Sequence, residues 1–197
     1  MRTVVPSPER HNCRRGTSLV PPNVTGALSV FHIHRTQGIT VLTPGSPAPV
    51  LELEDTAGLP WRLSENLGAN GALLYFTRST SCPICNRHVR DLLTRRGEFD
   101  AAGLRIHIAV PEDRERALGW KTRHGIPFTV LVGSTGTPHA SIGLTRTVFG
   151  TMQQSGSVLV DADGIIRHAR GATMPVSGYD KKGIAAAIEA MLSRTGT

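Results

Sequence analysis

At 197 residues with a formal charge of +7, the chain has the size of one ordinary domain with a sizeable core plus an arm, and is too short for two full domains. With 39% hydrophobic and 19% charged residues it falls in the globular range, which excludes wholesale disorder and fibrous architectures. Apolar runs such as Gly71–Phe76 fall far short of the roughly 20 residues that a membrane-spanning helix needs, so neither a transmembrane helix nor a membrane partner is expected.

The charge is unevenly placed. Residues 1–40 hold Arg2, Arg10, Arg14, Arg15 and Arg35 against Glu9 alone, which accounts for +4 of the +7. The rest is spread thinly, with no basic stripe interleaved with aromatic residues, so no nucleic-acid partner is expected. Pro21, Pro22 and Asn23 interrupt the amino-terminal segment before it can form a continuous apolar stretch, and it does not read as a secretory signal. The default compartment is then the cytoplasm, where a lone cysteine pair points to catalysis or metal binding more than to a structural staple.

Residues 1–42 mix Pro, Arg, Asn, Thr and His with little period and read as a basic, flexible extension. Within it, 30–34 alternates as a short edge strand would, with His32 and His34 on one face; an exposed strand or coil explains this spacing better than a metal site. Cys13 reads as a bystander thiol. The punctuation at 44–49 marks the entry into a domain spanning 43–197. An alternating strand at 50–54 and a returning strand at 61–63 suggest an entry hairpin. The nearly continuous apolar run at 71–77 is the signature of a central strand buried on both faces. Cys85, His88, Val89, Leu92 and Leu93 recur at helical spacing, which predicts a helix over 83–96. A strand at 104–110 closed by Pro111, a helix over 112–124 stopped by Gly125, a strand at 128–132 and a short helix at 138–143 follow. Strands at 157–160 and 165–169 flank the turn Asp161-Ala162-Asp163-Gly164. The last element is a helix over 181–192 with Ile184, Ala187, Ile188 and Met191 inward. This order predicts an α/β, thioredoxin-like fold: a central mixed sheet with helices on both faces.

The chemistry centres on Cys82-Pro83-Ile84-Cys85. A cysteine is a useful nucleophile only as thiolate, and a site that follows a buried strand and opens a helix offers unpaired N–H groups and the positive helix end, both favouring the anion at Cys82. Cys85, one turn on, is close enough to attack a mixed disulfide or sulfenic acid formed there. Pro83 stiffens the turn at a position where its missing N–H costs little. Arg78, His88 and Arg87 are candidates for positive potential near the sulfur, with Arg78 ranked first for proximity. His88 falls on the apolar stripe and reads as a packed or partly buried histidine more than a proton carrier. Three other readings stay open. A zinc site would need a second half-site, which does not follow; a structural disulfide over so few residues would constrain the unfolded chain little; an inert pair would make the adjoining strand, proline and helix a coincidence.

The segments 43–49, 73–76 with Cys82-Pro83, and 158–166, in this order, resemble the alkyl hydroperoxide reductase and thiol-specific antioxidant family, the peroxiredoxins and peroxiredoxin-like redoxins. The resemblance covers about 43–192. That family sets a Pro, a Thr or Ser and the peroxidatic Cys in a fixed pattern; Ser79 and Cys82 match it, and Tyr75 stands at the position of the Pro. The family's arginine before the late strand would fall near Ser155, and no arginine is there. The resemblance implies Cys82 as peroxidatic cysteine and Ser79 as its hydroxyl partner. The Cys-x-x-Cys spacing is also similar to that of thioredoxins and divergent peroxiredoxin-like proteins, which implies Cys85 as the resolving cysteine.

The expected function is therefore a thiol oxidoreductase that reduces hydroperoxides through Cys82, with Cys85 closing an intramolecular disulfide and with no organic cofactor or metal. The expected partners are a hydroperoxide or disulfide substrate and a thioredoxin-type or low-molecular-weight thiol reductant, with a homodimer as the candidate assembly. The alternatives are a protein-disulfide oxidoreductase using the same pair, and a metal-binding or redox-sensing module with Cys82, Cys85 and His88 as ligands.

Overall fold

The structure, a computed structural model, describes residues 42–147 and 152–195. The expected extension, with Cys13, His32 and His34, lies outside these residues except for Leu42. In chain order the elements are β1 (Leu53–Asp55), β2 (Pro60–Trp61), β3 (Gly71–Phe76), α1 (Pro83–Thr94), α2 (Arg96–Ala101), β4 (Leu104–Ala109), α3 (Arg114–Arg123), β5 (Thr129–Gly133), β6 (Arg146–Thr147), β7 (Met152–Gln153), β8 (Ser155–Asp161), β9 (Ile166–Ala172) and α4 (Lys181–Thr195). Seven strands form one mixed sheet in the order β2-β1-β5-β4-β3-β8-β9, and β6 pairs with β7 in a separate ribbon.

β3 owes its unbroken apolar sequence to its place. It pairs in parallel with β4 and antiparallel with β8 along its whole length, so its backbone groups are satisfied from both sides and both faces are covered. Leu73 and Tyr75 point to one face, where they join Ile106, Ile108, Val130, Val132 and Leu159 under side chains from all four α-helices, among them Leu92, Phe99, Trp120 and Ile184. Ala72, Leu74 and Phe76 point to the other, against Ala109, Leu131, Val158, Trp61 and Ile142. Helical segments cover both faces: the α-helices lie on the first, and 3-10 turns at Leu63–Glu65 and Ala140–Ile142 contribute Leu63 and Ile142 to the second. The parallel pairing of β3, β4 and β5 brings their carboxyl ends to one edge of the sheet, joined by helical crossovers.

Several boundaries differ from expectation for physical reasons. The helix expected over 83–96 ends at Thr94, and Arg95 (φ −93°, ψ 8°) turns the chain into α2. That bend sends Phe99 into the core at 1% exposure and leaves the Arg95 Nη1 donating to the Tyr179 hydroxyl at 3.0 Å. β1 begins later than expected, with Val50 92% exposed and outside the pairing. The short helix expected at 138–143 is a single 3-10 turn, closed by Gly143 at φ 73°, a left-handed conformation that glycine adopts without strain. α3 starts at Arg114 because Asp113 caps it, its Oδ1 accepting the Arg116 N–H at 2.9 Å. The turn between β8 and β9 is built as its sequence implies: Asp161 Oδ1 accepts the N–H groups of Asp163 and Ile165 at 3.0 and 2.8 Å.

β4 also carries a histidine into the core. His107 is 3% exposed, with Nε2 donating to the Asn66 carbonyl at 2.9 Å and its ring edge against Trp61; Nδ1 has no hydrogen-bond partner among the described residues. Burial holds its pKa below the usual 6.5, the Asn66 contact opposing only in part. Burial likewise depresses His88 and His168. For a base depressed in the folded state, the unfolded chain takes up the proton first, so stability is full above about pH 6.5 and declines as the pH falls below it. We expect the urea midpoint to drop between about pH 7.5 and about pH 5, and to drop less in His107→Gln. A variant with the wild-type slope would show that His107 does not contribute.

Candidate functional site

The loop 77–82 joins the end of β3 to the start of α1, and four other segments hold it. Thr77 extends the pairing with β4 through its N–H to the Ala109 carbonyl (2.9 Å), and its own carbonyl lies 2.6 Å from Nε2 of the buried His139. Thr80 donates both its N–H and its hydroxyl to Glu112 Oε1, at 2.7 and 3.1 Å. The Asn86 side chain donates to the Thr80 carbonyl at 3.1 Å and accepts the indole N–H of Trp120 at 2.9 Å. α1, α3, the turn after β4 and the segment at 139 therefore all fix the loop.

Cys82 is the N-cap of α1, in extended conformation (φ −71°, ψ 114°), with Pro83 opening the helix. Its Sγ accepts the Cys85 N–H at 3.3 Å, so a helix amide that would otherwise be unpaired finds its partner in the sulfur. Cys85 Sγ accepts the Arg78 N–H at 3.3 Å. Both cysteines are free thiols, but their surroundings differ. Cys82 is 9% exposed at the mouth of the site, and Cys85 is 0% exposed behind it. Burial, reinforced by the hydrogen bond to Cys82 and opposed by the Arg78 N–H, pushes the Cys85 thiol up to about 11. The Cys82 side chain keeps a small exposure, while the Cys85 thiol is fully enclosed and protonated.

A polar cluster lies beneath Cys85. The hydroxyl of Tyr75, itself 0% exposed, is 2.9 Å from His88 Nδ1. The rings of Tyr75, His88 and Tyr179 pack edge-on or tilted at centroid distances of 5.2–5.8 Å. Tyr179 donates to Asp91 Oδ2 at 2.9 Å, and Lys181 donates to Oδ1 at 2.7 Å. Burial works against the Asp91 carboxylate, but these two hydrogen bonds together hold its pKa below the ordinary value. Burial raises the Tyr75 and Tyr179 phenols well above theirs.

The structure brings Cys82 and Cys85 together as their spacing implied. Ser79 stands in the same loop, its carbonyl accepting the Cys82 N–H at 3.3 Å and its hydroxyl 3.1 Å from that of Ser81. Arg78 offers its main-chain N–H to Cys85, and it lines a groove with Ser79, Glu112, Arg116 and Gln153. Ser155, where the resemblance expected an arginine, is a buried residue at the start of β8. Tyr75 and Glu112 were not anticipated. For Tyr75 a signal existed: a phenol inside a fully buried strand needs a polar partner. His88 is half-buried, as its place on the apolar stripe implied, but its ring nitrogen is engaged by Tyr75. Among the described residues no group of three or more His, Cys, Asp or Glu side chains is placed to hold a metal ion, and no helix is long and apolar enough to cross a membrane.

A sequence profile described as the AhpC/TSA family matches residues 44–169. A Mycobacterium tuberculosis (strain H37Rv) protein with the name "Putative peroxiredoxin Rv2521" is 27% identical over 128 residues, 65% of this chain and 76% of that one. Among solved structures, the peroxidoxin BcpB from Mycobacterium tuberculosis superposes with a TM-score of 0.65 at 17% identity, covering 77% of this chain and 97% of the other. Reduced Prx3 from Vibrio vulnificus, crystallised with hydrogen peroxide, gives a TM-score of 0.65 at 15% identity, covering 75% and 99%. The fold is thus the thioredoxin-like fold of these proteins.

The unequal burial of the two sulfurs makes a direct prediction. Iodoacetamide at about pH 8 should alkylate Cys82 first, with Cys85 at least about a hundredfold slower; peptide mass spectrometry reads both sites. Equal rates would contradict the enclosure of Cys85.

Proposed function

We propose that this chain, which belongs to the AhpC/TSA family, is a thiol peroxidase in which Cys82 reduces a hydroperoxide and Cys85 resolves the product. The observation that carries the reading is the placing of Cys82 Sγ at the N-cap of α1, next to a second thiol joined to it through the 3.3 Å contact of the Cys85 N–H. The Cys82 thiolate attacks the terminal oxygen of the hydroperoxide, the O–O bond breaks, and the alcohol leaves with a proton while Cys82 becomes a sulfenic acid. Cys85 then attacks that sulfur as thiolate, hydroxide leaves and takes up a proton as water, and the intramolecular disulfide forms. A thioredoxin-type dithiol or a low-molecular-weight thiol returns the pair to its reduced state. Ser79 supplies the hydroxyl beside the reacting oxygens, and Arg78, on the wall of the adjoining groove, supplies positive potential in place of the arginine that Ser155 does not provide. The cytoplasm, with its thiol reductants, suits this cycle.

A second reading makes the same pair a protein-disulfide oxidoreductase. It is favoured by the buried serine at position 155 and by Ile84, 37% exposed between the two cysteines, where a protein substrate would have to dock.

Stopped-flow mixing of reduced protein with hydrogen peroxide or an alkyl hydroperoxide separates the two. Consumption should be fast in the wild type and absent in Cys82→Ser, and Cys85→Ser should react once, hold a sulfenate at Cys82 and fail to turn over. A wild-type rate no faster than that of free cysteine, together with ready reduction of insulin disulfides, would transfer the assignment to the second reading.

A further inference from the structure

We propose that Asn86, its amide oriented by Trp120, is a positioning residue for the peroxide step: it locks the turn 79–82, and with it the Ser79 hydroxyl, beside Cys82. The proposal rests on the reading of this chain as a thiol peroxidase.

The turn is closed by the Cys82 N–H, which donates to the Ser79 carbonyl at 3.3 Å, with Thr80 and Ser81 at its centre. The hydroxyls of Ser79 and Ser81 lie 3.1 Å apart, so the peptide between Thr80 and Ser81 sets where both of them stand. A four-residue turn keeps its closing contact with its central peptide in more than one rotation, which is the main difference between turn types. A group outside the turn has to select the rotation. Thr80 is gripped at its N–H, its hydroxyl and its carbonyl. The first two donate to Glu112 Oε1, at 2.7 and 3.1 Å. The third, which is the oxygen of the central peptide, accepts from Asn86 Nδ2 at 3.1 Å. Asn86 therefore holds the rotating unit itself.

Asn86 also holds the far side of Ser81, since its own N–H donates to the Cys82 carbonyl at 3.0 Å. Its side-chain amide is nearly symmetric in shape and fits its space with either end forward, but it donates to Thr80 only with the nitrogen forward. Trp120 decides between the two. An indole N–H is a donor only, and this one donates to Asn86 Oδ1 at 2.9 Å, which leaves Nδ2 facing the Thr80 carbonyl. The reversed amide would set oxygen against oxygen and N–H against N–H. Trp120 can impose the choice because it is fixed in the core at 3% exposure. Both residues thus act on the reacting atoms through the turn, by position.

A hydrogen bond that only holds the fold together would show the same contacts, so the test has to read alignment and not stability. Reaction of Cys82 with peroxide needs the Ser79 hydroxyl to meet the reacting oxygens, and a misplacement of about 1 Å costs such a reaction on the order of 10²-fold. Alkylation by iodoacetamide needs no such hydroxyl and reads the thiolate and its access. Reduced protein at about pH 8 is mixed with hydrogen peroxide by stopped flow and, separately, with iodoacetamide, Cys82 alkylation being read by peptide mass spectrometry. In Asn86→Leu the peroxide rate should fall at least about tenfold while the alkylation rate stays within about threefold of the wild type. Trp120→Phe, which keeps a ring in the core and removes the indole donor, should lower the peroxide rate about threefold or more with the same selectivity, and should add nothing to the loss in the double variant. Either single variant tests the proposal by itself if the other fails to fold. Parallel changes in the two rates, a wild-type peroxide rate in Asn86→Leu, or losses that multiply in the double variant would each overturn it. Failure of the underlying reading looks different: the wild type itself would then consume peroxide no faster than free cysteine, and the proposal would fall with it.

Discussion

Each of the two sulfurs is held by a main-chain amide: the Cys85 N–H reaches Cys82, and the Arg78 N–H reaches Cys85. This reciprocal stitch ties the end of β3 to the first turn of α1, and much else in the structure serves to keep those two elements in fixed relation. β3 can offer a rigid terminus because it is paired on both sides along its length. α1 keeps its angle because Val89 and Leu92 are buried on the sheet. The loop between them would still be free to open if it were held only at its ends. Glu112, 32 residues on from Thr80, clamps its middle by accepting two hydrogen bonds from Thr80.

The electrostatics of the site run along α1. At its amino end stands Cys82, 9% exposed, its sulfur accepting a helix amide. One turn in, Cys85, Tyr75 and His88 are all held neutral by burial. Further along the helix a full carboxylate, Asp91, is compensated by Lys181 at the head of α4 and by Arg95. The neutral zone thus lies between the helix start and a charged cluster. Within it the Tyr75 hydroxyl and His88 Nδ1 satisfy one another at 2.9 Å, as buried polar groups require. Exposed ion pairs such as Arg96–Asp100, with both side chains more than half exposed, add little by comparison.

What the sequence made legible was local. The strand 71–77, the helix that opens at Pro83, the turn at 161–164 and the inward stripe of the last helix each announce themselves through neighbouring residues, by periodicity, a proline or a turn-forming Asp-x-Asp-Gly. The cysteine pair belongs to this class, since both partners lie within one helical turn. What stayed hidden joins distant parts of the chain. Tyr75 reads as one more apolar position in a buried run; only the folded register sets its hydroxyl against a histidine 13 residues later. Glu112 reads as a helix-start acid, and instead the helix begins at Arg114 under Asp113 while Glu112 turns toward Thr80. The bend at Arg95 was equally invisible, because it follows from where Phe99 can find space in the core.

Trp120 has a consequence of its own. The molecule has two tryptophans, and they are wired differently. Trp61 packs on the far side of the sheet against His107. Trp120 lies on the helical side, its indole N–H bonded to Asn86, the residue that follows Cys85. Any shift of the first turn of α1 alters the surroundings of one indole and leaves the other in place, whereas loss of the whole fold releases both. The protein therefore contains a native fluorophore bonded to its reactive segment and a second one as internal reference.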